Sequence, residues 1–319
     1  MTVIFDGNYL LHKTLGVFVN YHNGKTLQEI LEVKENQNVY YRKLIIDFMS
    51  VLKKIEGVEK VVFAFDRKSW RYLIFDDYKH ALTKTREQGY DLVMKVKDRL
   101  EESLEKNGFI VHTCDGFEGD DIIACWADWY RKNDETLLIV SGDKDLHQLI
   151  KNNIFVLNNN STNYNLYGDE SLDSGLMTSW CKEIGCGWNP INPELFILKK
   201  IILGDSGDNI SNLKRGIGEK TFEKFVEGIK GKKIPVNFIP NLKNFIVNEL
   251  NSTLKKKIDV DELYTAIEWN INLMYLHPDN LQRFIKFYEE RKKIQMFLYS
   301  SYKYKKEFSL EHFTNAIIK

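Results

Sequence analysis

Acidic side chains that could bind divalent cations occur in short clusters along this chain, each near the end of an apolar run. Gathered in one cleft, such carboxylates would repel one another by roughly several kcal/mol, because like charges at short range disfavour ionisation. Bound cations would remove that repulsion, so the pattern predicts a divalent-metal site. The candidate ligands are Asp6, Asp66, Glu118, Asp120, Asp121, Asp143, Asp145, Asp205 and Asp208.

Single carboxylates of this kind have a simpler explanation. An aspartate directly after a strand more often caps the next helix than binds a metal, and Asp6 taken alone would be a cap. The whole set is harder to explain in this way, since a pair of Mg²⁺-like ions needs several carboxylates, some of them bridging, with water in the remaining positions. A histidine-rich zinc site is disfavoured, because the histidines are scattered along the chain.

The elements that would position these acids follow an alternating pattern. Short, apolar, β-branched runs predict buried parallel strands at 3–5, 61–65, 109–111, 137–140 and 155–157. Helical patterns lie between them, notably at 39–55, 92–106 and 120–131. This alternation predicts a doubly wound α/β fold, in which active sites form outside the carboxyl ends of the strands. Most of the candidate acids follow predicted strands.

Two polar segments interrupt the alternation, and both predict long loops. Residues 67–88 are basic and aromatic, whereas residues 158–175 are rich in Asn, Ser and Gly. After about residue 190 the pattern is helical to the end. The length of 319 residues predicts more than one domain. We divide the chain into a core at 1–190, with its loop at about 67–90, and a helical region at 191–319.

Composition excludes several classes of protein. Hydrophobic residues make up 43% and charged residues 28% of the chain, which is typical of a globular protein rather than a disordered or fibrous one. No apolar run is long enough for a membrane span, and no secretory leader is recognisable. Four cysteines without metal-binding spacing indicate reduced thiols. We therefore expect a cytoplasmic protein that has no membrane partner.

The distribution of charge bears on whether nucleic acid is a partner. The formal net charge is zero, which by itself argues against a phosphate-rich partner. Basic residues are nevertheless concentrated at 67–99, 212–233 and 283–306, and cations bound to the candidate acids would leave the remaining surface basic. Each of these segments on its own could equally be a solvated helix face.

Two segments carry residues suited to phosphates and nucleobases. Residues 204–209 and 216–221 predict a loop between helices whose glycines allow close approach of the backbone, and a helix start can hold a phosphate; a simple turn is the alternative. In the loop at 67–88, cations are mixed with aromatic rings, as in sites that hold single strands, although an amphipathic surface loop would look similar. The substrate-binding candidates are Arg71, Tyr78, Lys84, Arg86, Lys214, Arg215, Gly216, Gly218 and Lys220.

Six motifs, taken in order, resemble those of the flap endonuclease and 5′-nuclease family. They are FDGN at 5–8, FAFD at 63–66, EGDD at 118–121, SGDKD at 141–145, GDSGDN at 204–209 and GIGEKT at 216–221. The small size, the helical tail and the pairs at 70–71 and 78–79 are most similar to bacteriophage members of the family, including the T4-type ribonuclease H. A viral chain of this kind would act in the host cytoplasm.

This resemblance implies an α/β fold with a PIN-like parallel-sheet core, helices on both faces and an arch or loop over the active site. It also implies a helix-three-turn-helix at about 196–228 that binds the backbone of duplex nucleic acid, and a C-terminal helical region. Two Mg²⁺ ions, for which Mn²⁺ can substitute, and a monovalent cation at the helix-three-turn-helix are implied as cofactors. The first metal would be held by Asp66, Glu118, Asp120 and Asp143, with Asp6 acting through water, and the second by Asp121, Asp145, Asp205 and Asp208.

The resemblance also implies a reaction and its partners. Two-metal hydrolysis of phosphodiesters would remove primers during DNA replication, from DNA and from RNA:DNA hybrids with 5′ ends or flaps. A single-strand-binding protein or another replication protein is a partner by analogy, and we expect a monomer. Where family members place an arginine after the arch lysine, this chain has Leu82, and Lys84 or Arg86 would substitute. The implied catalytic residues are Lys79, Asp66 and Asp145.

Two other classes of function compete with this hypothesis. A structure-specific DNA-binding protein that kept the fold but lost the chemistry would lack some of the acids, and none of the expected set is missing. A PIN-type toxin ribonuclease acting on single-stranded RNA would need neither the segment at 216–218 nor this length. The favoured hypothesis is a metal-dependent 5′ nuclease, with the balance between exonucleolytic trimming and flap cutting left open.

Overall fold

The computed structural model describes residues 1–22, 24–73, 75, 77–79, 88–160, 164–254 and 257–276. These residues divide into two units. The first unit contains residues 1–69 and 88–191, and the second contains residues 70–79 and 192–276. Leu82, Lys84, Arg86 and the predicted helical tail at 277–319 lie outside the described residues.

A mixed sheet of seven strands forms the centre of the first unit, counted over the described residues. The strands are β1 (Thr2–Asp6), β2 (Lys60–Ala64), β3 (Ile110–His112), β4 (Leu137–Val140), β5 (Ile154–Asn158), β6 (Tyr164–Asp169) and β7 (Cys186–Ile191). Their order is β3-β2-β1-β4-β5-β6-β7, and all neighbours are parallel except β5 and β6. The predicted parallel-sheet core is confirmed.

The prediction of a loop at 158–175 is wrong, because β6 lies within it. The sequence of this strand, YNLYGD, is polar and only partly buried, so no apolar run marks it. Backbone pairing on both sides, antiparallel to β5 and parallel to β7, holds it in the sheet. Gly168 allows close packing here, since a Cβ at this position would lie 2.4 Å from the ring of Trp188 on β7.

Helices cover both faces of this sheet. They are α1 (Gly7–Asn20), α2 (Leu27–Leu31), α3 (Lys34–Leu52), α4 (Tyr90–Lys106), α5 (Gly119–Asn133) and α6 (Ser174–Ile184). Val3 and Phe5 of β1 share a hydrophobic core with Phe48 of α3. On the opposite face, the Thr2 hydroxyl lies 2.6 Å from the Tyr130 hydroxyl of α5. Because side chains alternate along a strand, helices bury both faces of β1, which confirms the predicted fold class.

A cluster of phenylalanines packs β1 and β2 against α3. The rings of Phe5 and Phe63 stack with centroids 4.9 Å apart, and Phe48 meets the Phe63 ring edge-on at 5.1 Å. Phe109 adds a further edge contact to Phe63 at 5.7 Å. Each fully buried ring contributes about 2–3 kcal/mol through the hydrophobic effect. This packing fixes the relative position of β1 and β2, and therefore of the acids at their carboxyl ends.

The second unit is helical over its described residues and has a separate hydrophobic core. Its helices are α7 (Pro193–Leu203), α8 (Glu219–Gly228), α9 (Ile239–Thr253) and α10 (Val260–Met274), with a 3₁₀ helix at Trp70–Leu73. Leu198, Phe225, Ile246 and Ile271 lie in that core, one from each α-helix. Neither these helices nor any other within the described ranges is both long and apolar enough to cross a lipid bilayer.

His112, at the end of β3, is a buried side chain held in one protonation state. Its Nδ1 accepts a hydrogen bond from Nε1 of Trp126 on α5, 2.9 Å away, so this nitrogen carries no proton. Burial lowers the pKa of His112 to about 4, because the charged imidazolium would lose its hydration. Folding therefore favours the neutral form of His112.

We expect acidification from pH 7 to about pH 4 to destabilise the fold in part through His112. Between its ordinary pKa of 6.5 and its folded pKa of about 4, the unfolded chain binds a proton that the folded chain does not. The loss of stability would be about 3 kcal/mol over this window. Urea unfolding as a function of pH checks this, since His112→Gln should show a shallower decline than the wild type. Parallel curves would contradict the assignment.

Candidate metal centre

Asp6 ends β1 and is buried in the first unit. Its Oδ1 accepts a hydrogen bond from the backbone N–H of Tyr9 at 2.9 Å, so it caps α1. Its Oδ2 accepts a second hydrogen bond from the hydroxyl of Ser141, which follows β4, at 2.8 Å. The simple explanation of Asp6 as a helix cap is thus correct, and the same carboxylate also joins the ends of two neighbouring strands.

Asp66 follows β2, and its carboxylate is hydrogen-bonded to the start of α5. Its Oδ1 accepts a hydrogen bond from the backbone N–H of Gly119 at 2.6 Å, and its own N–H donates to Asn8 Oδ1 at 3.3 Å. A Cβ at Gly119 would lie 3.1 Å from Asp66 Oδ1 and 3.4 Å from the carbonyl oxygen of Ala64. Glycine at this position therefore permits the close approach.

Three acids occupy the start of α5. Glu118 and Asp121 form a reciprocal capping box, in which the Glu118 N–H donates to Asp121 Oδ2 at 3.1 Å. Both side chains are buried, whereas Asp120 is half-buried. Negative charge is favoured at a helix N-terminus by the helix dipole, which offsets part of the repulsion among these carboxylates. Through Gly119, this acidic helix start is tied to Asp66.

Asp143 and Asp145 follow β4 at the start of a 3₁₀ helix, Lys144–Leu149. The Asp143 carboxylate accepts a hydrogen bond from the Asp145 N–H at 2.8 Å. Its own N–H donates to the Ser141 hydroxyl oxygen at 3.0 Å. The Ser141 hydroxyl oxygen therefore accepts a hydrogen bond from the Asp143 N–H, and the Ser141 O–H donates to Asp6 Oδ2.

Electrostatic repulsion shows that the first-unit acids are close enough to affect one another. The pKa of Asp6 is raised to about 7, first by burial and then by the negative charges of Asp66 and Asp143, while the hydrogen bonds from Tyr9 and Ser141 lower it in part. A divalent cation would remove this repulsion, and carboxylate oxygens are the ligands that Mg²⁺ prefers. The donor set of this cluster therefore fits a hard divalent metal.

Asp205 and Asp208 lie in the second unit, in a segment between α7 and α8 that we call the acidic loop, residues 204–218. Asp205 pairs with Ile210 through two backbone hydrogen bonds of 2.8 and 2.7 Å, which closes the loop on itself. Partial burial opposes ionisation of Asp205, but its ion pair with Lys200 and the N–H groups of Gly207 and Asp208 outweigh this and lower its pKa.

The predicted phosphate-binding residues lie in the second half of the acidic loop and at the start of α8. Gly216 has a φ of +95°, a conformation that favours glycine, and Gly218 precedes the first residue of α8. Arg215 and Lys220 are exposed, and Lys214 forms an ion pair with Glu262 of α10 at 2.7 Å. Exposed cations and glycines therefore lie close together in sequence at this loop and helix start, and phosphate binding by them stays a prediction.

Arg71 and Tyr78 are predicted to bind substrate, and the structure places both of them in the interior of the second unit. Both side chains are buried in the second unit, with 3% and 2% of their surface exposed. The Arg71 Nε donates to the carbonyl oxygen of Leu273 at 2.8 Å, and its guanidinium lies near the rings of Trp70 and Tyr78. Composition alone does not separate such an internal cluster from an exposed stacking surface. Lys79 is half-buried, and Lys84 and Arg86 lie outside the described residues.

Sequence reasoning missed the residues that orient the acids. Ser141 and Asn8 each hydrogen-bond within the candidate centre, yet a lone Ser or Asn beside an acid carries no distinctive signal. Both lie inside motifs that were noted for their carboxylates. Their position next to strand ends was the available clue, since strand-end residues share one edge of a parallel sheet.

Fold and site together define an α/β protein with a carboxylate centre of the kind used in metal-assisted phosphate chemistry. The family model of the 5′-3′ exonuclease N-terminal, resolvase-like domain matches residues 1–175. This chain therefore belongs to the 5′-3′ exonuclease family, and the resemblance to the flap endonuclease and 5′-nuclease family is confirmed.

Individual relatives extend this likeness over most of the chain. A 5′-3′ exonuclease of Buchnera aphidicola is 29% identical over 260 residues, which are 78% of this chain and 81% of that protein. A 5′-3′ exonuclease of Mycoplasma genitalium is 26% identical over 302 residues, or 91% and 95% of the two chains. A solved structure of a bacteriophage T5 flap endonuclease with DNA and metal ions is similar in fold, with a TM-score of 0.62 at 17% identity over 94% of this chain and 98% of that one.

We expect Ser141→Ala to weaken the binding of Mn²⁺ about tenfold, because groups that orient metal-binding carboxylates typically contribute this much to affinity. Isothermal titration calorimetry with Mn²⁺ measures the effect. Thr2→Val is a matched control, since it also removes a buried hydroxyl from the first unit but at the opposite end of β1. Equal Mn²⁺ affinity in the wild type and in Ser141→Ala would show that the hydroxyl does not orient the site.

Proposed function

We propose that this chain is a divalent-metal-dependent 5′ nuclease that hydrolyses phosphodiesters in DNA and in RNA:DNA hybrids carrying 5′ ends or flaps. The observation that carries the proposal is the grouping of Asp6, Asp66 and Asp143 at the carboxyl ends of three adjacent parallel strands, in a member of the 5′-3′ exonuclease family. Primer removal during DNA replication is the cellular role that fits this reaction, and ribonuclease H activity would be part of it.

The carboxylates would hold the metal, and two Mg²⁺ ions fit their number. Asp66, Glu118, Asp120 and Asp143 are the proposed ligands of the first ion, with Asp6 behind them. Asp121, Asp145, Asp205 and Asp208 are the proposed ligands of the second. When bound, the cations would supply the positive charge that activates water and offsets charge on the attacking and leaving oxygens. The T5 flap endonuclease of similar fold was solved with DNA and metal ions, which supports metal binding by this chain.

The remaining steps fall to side chains of this chain. Lys79 would hold the scissile phosphate and place a positive charge where negative charge develops. Arg215 and Lys220, with the backbone at Gly216 and Gly218, would contact the sugar-phosphate backbone of the duplex, where contacts give affinity without reading sequence. Asp6, fixed by Tyr9 and Ser141, would keep the acidic edge in one arrangement during the reaction.

Replacing Asp66 with asparagine should abolish cleavage and leave substrate binding within about threefold of the wild type, since the exchange removes charge but little volume. End-labelled flap, nicked and RNA:DNA substrates, digested with and without Mg²⁺, measure cleavage. Asp173→Asn serves as the control, because Asp173 caps α6 from an exposed position. Full cleavage by Asp66→Asn, or cleavage by the wild type in excess chelator, would reject the proposal.

Lys220 is exposed near the start of α8, where it would contact the duplex. Lys220→Ala should weaken duplex binding and reduce the slope of log affinity against log salt by about one, because one phosphate contact releases about one counterion. Fluorescence anisotropy at several salt concentrations measures the slope. Lys106→Ala, which removes an exposed lysine paired with Glu102 on α4, should leave the slope unchanged. An unaltered slope in Lys220→Ala would remove this residue from the proposed interface.

A further inference from the structure

Arg71 is a buried cation that lies eight residues before Lys79, the predicted active-site lysine. It follows Trp70 in the segment described at residues 70–73, 75 and 77–79, and only 3% of its surface is exposed. Burying a charge is costly unless it is hydrogen-bonded, and the Arg71 Nε donates to the carbonyl oxygen of Leu273 in the last turn of α10 at 2.8 Å. The guanidinium carbon also lies 4.8 Å from the Trp70 ring centroid. Arg71 therefore anchors the segment to α10.

Tyr78, seven residues after Arg71, is the residue through which this contact reaches Lys79. The Arg71 guanidinium lies 5.9 Å from the centroid of the Tyr78 ring. Tyr78 is buried in a small apolar cluster with Ile210 of the acidic loop and Leu273 of α10. The ring of Tyr72 meets it edge-on at 5.4 Å. The side chain of Tyr78 is thus held from several sides, and its position fixes the backbone of the next residue, Lys79.

The backbone around Lys79 is also held directly against the acidic loop. Lys79 has a φ of +52°, and its N–H donates to the carbonyl oxygen of Asp208 at 3.4 Å. In return, the side-chain amide of Asn209 donates to the carbonyl oxygen of Asp77 at 3.4 Å, and Asn209 itself has a φ of +62°. Left-handed backbone at a non-glycine residue costs roughly 1 kcal/mol or more and persists only where its surroundings hold it.

We propose that Arg71 is a positioning residue that acts through Tyr78 on Lys79, with Asn209 as a second tether, and that it does not contact the nucleic acid. This inference rests on the proposed function, because it assigns to Lys79 the role of holding the scissile phosphate. A displacement of about 1 Å at a group that orients the reacting phosphate can cost on the order of a hundredfold in rate. Removing the anchor should therefore slow the reaction at saturating substrate.

A double-mutant cycle on the full chain tests this with Arg71→Met, which keeps most of the apolar stem, and Lys79→Ala. Single-turnover cleavage of a 5′-flap DNA in Mg²⁺ should slow about a hundredfold in Lys79→Ala and about tenfold in Arg71→Met, with the dissociation constant of the substrate within about threefold. The double variant should be no slower than Lys79→Ala alone, because the proposed effect of Arg71 on the reaction passes through Lys79.

Other outcomes would overturn the inference. Additive rate losses in the double variant would place Arg71 in direct contact with a phosphate. A larger dissociation constant for Arg71→Met, together with a reduced salt slope, would do the same. A full single-turnover rate in folded Arg71→Met would leave it a purely structural residue. An unimpaired Lys79→Ala would remove the group on which Arg71 is proposed to act. If the wild type does not cleave in Mg²⁺, or Asp66→Asn cleaves fully, the proposed function itself fails.

Asn209→Gly provides an independent arm, because glycine keeps the left-handed backbone and removes only the side-chain amide. We expect a rate loss of about threefold to fivefold that disappears in the Lys79→Ala background. Asn251→Ala is the matched control, since Asn251 makes comparable hydrogen bonds to the backbone of Ile258 elsewhere in the second unit. It should lower thermal stability without slowing single-turnover cleavage. Equal slowing by both variants would indicate a general loss of stability and contradict the tether.

Discussion

Burial of a carboxylate at the end of the central strand is the constraint on which the rest of the first unit depends. Asp6 is enclosed, and two further acids are near enough to raise its pKa beyond the effect of burial. Hydrogen bonds from Tyr9 and Ser141 reduce this cost without removing it. The phenylalanine core that joins β1, β2 and α3 contributes stability that offsets this cost.

Parallel pairing explains how acids distant in the chain come to one place. The registers of β1 with β2 and with β4 align their carboxyl ends, so residues that follow these strands share an edge of the sheet. Helix starts meet the same edge, and their N–H groups hold the carboxylates in place. Capping and metal binding are thus compatible uses of one side chain, because a carboxylate has two oxygens and several lone pairs.

Part of this organisation could be predicted from sequence because it depends on local pattern. Continuous apolar runs predict β1 to β5, and most of the acids follow the ends of these runs. β6 escaped prediction because pairing with two neighbours, rather than hydrophobicity, holds it. The burial of Arg71 and Tyr78 could not be predicted for a related reason, since it is decided by contacts with α10 and the acidic loop, which lie more than a hundred residues away in sequence. The Ser141 hydroxyl likewise becomes informative only once β1 and β4 are adjacent.

A crystal structure determined with Mn²⁺, using anomalous scattering, examines the acidic edge most directly. Anomalous peaks should lie at about 2.0–2.2 Å from carboxylate oxygens of Asp66 and Asp143, the distance expected for a small hard cation bound by oxygen. Peaks confined to other surfaces, or none at this edge at millimolar Mn²⁺, would contradict the conclusion that these acids are grouped in order to bind a metal.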